Sequence, residues 1–216
     1  GLLRLLDVGA EVFYADNHFA VEIPDHSNLK ALINTDANTC TCLIIDEYLN
    51  GKYREWAVTG AFGDNLFQSA RDTASNLNLN DVQLGQLQRL GTYINYNGYG
   101  QSIDDLHFKP DDLFRSLQAY ASPLDFIEDK SSAFELLENG FLEDINSARS
   151  TKAEYQTDNI AVYILEDEFW ARRVTGVYSN ELANQVPSRA HAVLTYNNRG
   201  GYQVSVRAPL EDKTGA

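Results

Sequence analysis

Apolar and polar positions follow two different periods along this chain, and the changes of period mark its elements. Leu2 to Val8 reads as the apolar end of a helix closed by Gly9. Glu11–Ala15 is a short apolar run, rich in β-branched and aromatic residues, that fits a buried strand and stops abruptly at Asp16-Asn17-His18. A loop with Pro24 follows, with a short strand at Ala31-Leu32-Ile33. Thr39 is placed to cap a helix to about Leu49, with Leu43, Ile44 and Tyr48 on one face and Asn50-Gly51 as its stop. A second helix covers Tyr53 to Phe62 and ends at Gly63-Asp64-Asn65. Helical patterns recur at Asp81–Ile94, Pro110–Tyr120 and Pro123 to about Ala148, with a turn-rich break from Asn95 to Gly100. Ser150 to Asn159 is polar and reads as a linker. Beyond it come a strand at Ile160–Leu165, a helix near Tyr178–Gln185, and strands at Ala190–Tyr196 and Tyr202–Arg207. The Gly-rich turn between the last two strands is a hairpin signal.

This order predicts an α/β fold with two domains. Residues 1–149 form a helix-rich domain with a partial parallel sheet, 150–159 the linker, and 160–216 a smaller α/β domain with a mixed sheet.

Composition adds limits. The 216 residues are 44% hydrophobic, enough for one large core or two small ones. The 12 Tyr and 10 Phe argue against disorder. A net charge of −14 argues against a protein that coats nucleic acid, which would show a basic face. It is compatible with a carboxylate-rich cleft that concentrates divalent cations. Cys40 and Cys42 are the only cysteines. In a helix a two-residue spacing points side chains apart, so both read as packing residues, unsuited to a disulfide or a zinc knuckle. Few cysteines and no secretory segment predict the cytoplasm, and no apolar run approaches a membrane span. The chain starts at Gly1 and contains no Met, so it reads as a piece of a longer protein.

Several short constellations carry candidate chemistry. Asp16 offers a hard oxygen and His18 an imidazole, a pairing that suits Mn²⁺, Fe²⁺ or Zn²⁺, and ligands in open α/β sheets bind beyond strand ends. The same residues suit an ordinary turn in which Asp and Asn bond the backbone. Asp64 is either a second metal carboxylate or a solvated residue after a Gly63 helix cap. Arg207, at the end of an alternating strand, can grip a phosphate bidentately or sit in solvent. His107 reads as packing with Asp104 and Asp105 as caps, and His26 and His191 carry less information still. The phosphate-loop, nucleophile-elbow, zincin and dinucleotide-binding motifs are all absent, and no nucleophile–base pair supports acyl transfer.

Taken in order, these segments resemble the DHH phosphoesterase superfamily over nearly the whole chain. Ala15-Asp16-Asn17-His18 looks like the signature after the strand, Gly60 to Asn65 like the downstream Asp motif, and Gly200-Gly201 to Arg207 like the phosphate-binding strand of the associated domain. The resemblance implies that the full-length parent hydrolyses phosphodiester or phosphoanhydride bonds with two Mn²⁺ ions, or Mg²⁺ or Co²⁺ in their place, and that the chain as given, with too few carboxylates to hold two cations, is inactive by itself. Such a pair would generate a bound hydroxide and stabilise charge on the attacking and leaving oxygens. It implies metal ligation by Asp16, Asn17 and Asp64, catalytic roles for Asp16 and His18, and substrate contacts from His18, Arg207, Gly200 and Gly201. The partner implied is a phosphate-bearing small molecule or short oligonucleotide, without a membrane; a homodimer is admitted. The chain departs from the family at Asn17, where a His is expected. Counterparts of the upstream Asp-x-Asp and of the loop after the Arg-bearing strand are also missing. The alternative is a non-catalytic phosphate- or nucleotide-binding or interaction protein with a weakened metal site.

Overall fold

A computed structural model describes residues 1–19, 22–130 and 133–211. Residues 131 and 132, inside the helix expected from Pro123 to Ala148, lie outside the described residues, as do 212–216. The fold is mixed α/β, as the patterning predicts. Contact density divides the chain into two compact units, residues 1–91 with 121–124, and residues 92–120 with 125–216. The division falls inside one helix, whereas the change of composition falls near Ser150.

The first unit opens with α1 (Leu2–Asp7) and β1 (Val12–Asp16), which pairs in parallel with β2 (Leu29–Ile33) from Val12 opposite Leu29 to Asp16 opposite Ile33. Three helices follow: α2 (Thr41–Tyr48), α3 (Arg54–Gly63) and α4 (Phe67–Ala74). α5 (Asp81–Tyr96) carries the chain toward the second unit. The core of the first unit gathers Cys40, Val58, Ala61, Phe62, Ala70, Ala74 and Leu87.

Two local readings change here. α4 has no counterpart in the patterning, because Phe67-Gln-Ser-Ala-Arg-Asp-Thr-Ala is polar apart from Phe67 and the two alanines that it buries. Gly63 is the last residue of α3 and does not serve as the left-handed cap. That conformation falls to Asn65 at φ 62°. Gly63 is needed for close approach: a Cβ there would lie 2.7 Å from the Gly91 carbonyl oxygen, and one on Gly91 would lie 2.1 Å from that of Thr59. α3 and α5 therefore meet backbone to backbone.

In the second unit α6 (Pro110–Leu117), α7 (Pro123–Glu128) and α8 (Phe134–Ser150) precede the sheet. The stretch expected as one helix from Pro123 is thus broken in two after Glu128. β3 (Tyr155–Gln156), within the polar stretch, pairs antiparallel with β4 (Ile160–Ile164). α9 (Phe169–Gln185) then leads to β5 (Ala190–Tyr196), parallel to β4, and β6 (Tyr202–Arg207) closes an antiparallel hairpin. The sheet order is β3-β4-β5-β6. α8 and α9 share a core with Tyr96, Leu165 and Val193. α9 begins well before Tyr178 because Ala171, Val174 and Val177 belong to its buried face. Among the described residues, no helix is long and apolar enough to cross a membrane.

Candidate functional site

β1 and β2 run parallel, so their carboxyl ends lie at one edge, where ligands of open sheets settle. Asp16 is the last residue of β1. Tyr14 is two residues earlier on the same face, and its hydroxyl donates to Asp16 Oδ2 at 2.8 Å. The chain then folds back. The His18 amide donates to Asp16 Oδ1 at 3.1 Å, and His18 Nδ1 lies 2.8 Å from the same oxygen. The carboxylate therefore organises the turn and also fixes the ring. The His18 side chain is 82% exposed against 24% for Asp16, so Nε2 remains open to a ligand while Nδ1 is tied down.

The charges reinforce each other. The His18 contact, and then the Tyr14 hydroxyl, hold the Asp16 carboxyl well below the usual carboxylate range. Asp16 in turn raises the His18 imidazole and the Tyr14 phenol. Asp64 follows α3 as its C-cap. It is an exposed residue whose carboxyl is shielded enough to be raised, with His18 opposing the shift. Asp64 likewise adds to the rise at His18. Asp64 thus lies within electrostatic reach of His18.

Asn17 has a different place. Thr41 Oγ1, at the first residue of α2, donates to Asn17 Oδ1 at 3.0 Å. The amide oxygen straps the end of β1 to the start of α2. Tyr14 and Thr41 had no part in the site as read from sequence. Strand periodicity places Tyr14 beside Asp16, so that neighbour was available to inspection; nothing local connects Thr41 with Asn17.

Arg207, Gly200 and Gly201 belong to the second unit. Gly200 (φ +90°) and Gly201 (φ +77°) form the β5–β6 turn, and Arg207 ends β6 at its far end. A strand of six residues rising about 3.3 Å each separates them by about 20 Å, too far for one phosphate to touch both. The Arg207 guanidinium is also engaged: Nε donates to Asn180 Oδ1 at 2.7 Å, and one terminal nitrogen to Ser205 Oγ at 3.2 Å and to the Val206 carbonyl at 3.1 Å.

A second polar constellation, centred on Asp144, is buried in this unit. Tyr96 Oη donates to Asp144 Oδ2 at 2.5 Å. Arg173 Nε donates to the same oxygen at 2.7 Å, and a terminal nitrogen to Oδ1 at 3.1 Å. Its other arm reaches the Asp105 carbonyl at 3.0 Å. His107 Nε2 lies 2.8 Å from Tyr96 Oη. Because that hydroxyl proton goes to Asp144, the proton between Tyr96 and His107 sits on Nε2. Burial, then Arg173, lowers His107 and keeps it neutral. His107 also rests on Gly140, where a Cβ would approach Nε2 to 2.4 Å. The Asp144 carboxylate and its neighbours satisfy one another, so this network ties α5, α8 and α9 together and offers nothing to a ligand. Asp105 closes a capping box with Ser102, the capping role expected for this acidic pair.

The residues present do not fit a two-cation centre. Both Asp16 oxygens and Asn17 Oδ1 already accept hydrogen bonds. Among the described residues, no group of three or more His, Cys, Asp or Glu side chains converges in a metal-binding set. What the arrangement offers is an exposed imidazole whose protonated form a carboxylate favours, with a second carboxyl in electrostatic reach that protonates more readily than usual. No family model and no curated protein sequence matches the chain.

Proposed function

We propose that the chain takes a small phosphoester at the carboxyl end of β1 and hydrolyses it by proton transfer, without the two-cation centre that the DHH resemblance implies. The observation that carries this reading is the Asp16–His18 pair at that edge, with Asp64 in electrostatic reach of His18. His18, whose protonated form Asp16 favours, offers its Nε2 proton to a phosphate oxygen. Asp16 holds the ring in place and supplies the counter-charge. Asp64, raised by shielding, takes up or releases a proton beside the reacting oxygens. The net charge of −14 favours a small substrate over a long polyanion, whose approach it would oppose. A cytoplasmic setting belongs to the same reading.

The test is hydrolysis of a chromogenic phosphodiester and of a short oligonucleotide by the full chain, with and without added Mn²⁺. Turnover should fall by about a hundredfold in His18→Ala and in Asp64→Asn, the scale of a lost proton-transfer group. A second reading, a non-catalytic phosphate-binding unit, is favoured by the engaged oxygens of Asp16 and Asn17. It is supported if phosphate shifts the His18 ring resonances while no turnover appears. Turnover untouched by either substitution refutes the first reading, and an unresponsive His18 without turnover refutes both.

A further inference from the structure

The sheet of the second unit is patterned for burial on both faces, yet α9 covers one and the other is exposed. β4 (Ile-Ala-Val-Tyr-Ile) is apolar throughout. In β5, His191, Val193 and Thr195 are buried, and Val193 shares a core with Val174 and Val177 of α9. Successive strand residues point to opposite faces, so Ala192, Leu194 and Tyr196 point away from α9. β6 is inverted. Its polar residues Gln203, Ser205 and Arg207 stand on the helix side, where Arg207 bonds Asn180 of α9. Its apolar residues Tyr202, Val204 and Val206 stand on the outer side and are exposed. An antiparallel sheet with one solvated face alternates apolar-in and polar-out; β6 does the reverse. The register carries the outer set across the sheet, with Val206 opposite Ala192, Ala192 opposite Val162, and Val162 opposite Tyr155.

We propose that this outer face packs against the same face of a second copy of the chain, sheet on sheet about a two-fold axis. Such a contact is isologous, with the same patch on both subunits, and sets the two sheets about 10 Å apart. The proposal does not rest on the phosphoester reading.

Charge and area select a second copy as the occupant. The chain carries −14, so two copies repel wherever their acidic surfaces meet. None of the outer positions of β3 to β6 (155, 160, 162, 164, 190, 192, 194, 196, 202, 204 and 206) holds a charged residue, so this face meets its copy without opposing like charges. Glu154, just before β3, stands at the rim and reaches Tyr202 electrostatically. Tyr155, Ile160, Tyr196, Tyr202, Val204 and Val206 are 40–62% exposed. At about 200 Å² for a whole tyrosine and about 100 Å² for a whole valine or isoleucine, these six leave about 450 Å² open. Two copies therefore cover about 900 Å², and the half-buried Val162, Ala192 and Leu194 between them bring the contact to the roughly 1,000 Å² at which a stable interface begins. The rings of Tyr196 and Tyr202, 5.0 Å apart between centroids, give one end of the patch the aromatic character of interface cores.

The test is sedimentation equilibrium of the full chain over a range of concentrations, in low and in high salt. The expected result is a monomer–dimer equilibrium that tightens as salt rises, because salt screens the repulsion between two acidic chains while the apolar contact remains. Val204→Lys combined with Val206→Lys makes the net charge less negative, yet should weaken the dimer by about a hundredfold or more, the scale of stranding a charge in an apolar contact. Both side chains are exposed in the single chain, so an unchanged urea midpoint in dilute solution shows that the variant keeps its fold. Leu136→Lys, at an exposed apolar position of α8, should leave the dimer intact. In the wild type, hydroxyl-radical footprinting should show Tyr155, Tyr196 and Tyr202 protected as concentration rises through the dissociation constant. The inference is overturned by a chain that is monomeric at every concentration, which leaves the face to a partner of another sequence. It is equally overturned by a dimer indifferent to the double variant, by a dimer lost as readily in Leu136→Lys, by association that salt weakens, or by the three tyrosines staying unprotected in the dimer.

Discussion

Replacing Asp144 by Asn in the second unit keeps the side chain's shape and removes its charge. Arg173 then loses the partner of a bidentate pair at 2.7 and 3.1 Å, with side chains only 15% and 6% exposed. The new amide also turns a donor toward either the Tyr96 hydroxyl or the guanidinium, both of which need an acceptor. Breaking a buried pair by removing one partner costs about 3–5 kcal/mol, because the remaining charge is left uncompensated. Urea melts followed by Trp170, which packs on the core of this unit, give the value directly. A Trp56→Phe background makes Trp170 the sole tryptophan. The midpoint should fall at unchanged slope, the mark of lost stability at constant exposed surface. The double variant Asp144→Leu, Arg173→Met removes both charges and should recover about half the loss, since apolar replacements of a buried pair are often near neutral. A loss below about 1 kcal/mol for Asp144→Asn, or a double variant no better than the single one, would refute the claim that an unpaired buried cation sets the cost.

Further outcomes follow from the same geometry. Asp16→Asn should return the His18 imidazole downward toward about 6.5, its ordinary value, in an NMR titration, because Asp16 is the first cause of its rise. Gly91→Ala should destabilise the first unit by about 1–3 kcal/mol, as overpacking does; Trp56 fluorescence in a Trp170→Phe background reports it. His107 and His191 are both lowered by burial in the second unit, so the unfolded chain takes up their protons first. Stability of that unit is therefore fully present above about pH 6.5 and is lost as pH falls from there through the lower folded values. Urea melts at several pH values should show that decline, and His191→Val should make it shallower.

Much of the fold was legible because local signals agree with it. β5 and β6 have the bounds that alternation and the Asn197–Gly201 turn suggested. Asn50-Gly51 ends α2 in left-handed geometry, as those residue types favour. Legibility failed where burial depended on distant residues. α4 carries almost no apolar pattern and is held by an alanine face in a core drawn from α3 and α5.

The candidate site shows the same partition. The sequence by itself determined the donors: Asp16 and His18 at a strand end, Asp64 after a helix, and Asn17 where the resemblance called for His. It also determined where the backbone would turn, because Gly and Asn accept φ values that other residues resist. Only the tertiary structure decided what those donors do. It folded His18 over Asp16, gave Asn17 to Thr41, and committed Arg207 to Asn180. The physical reason is reach. A backbone preference acts over a few residues and can be read along the chain, whereas a hydrogen bond or a charge acts on whatever the fold carries within a few ångströms.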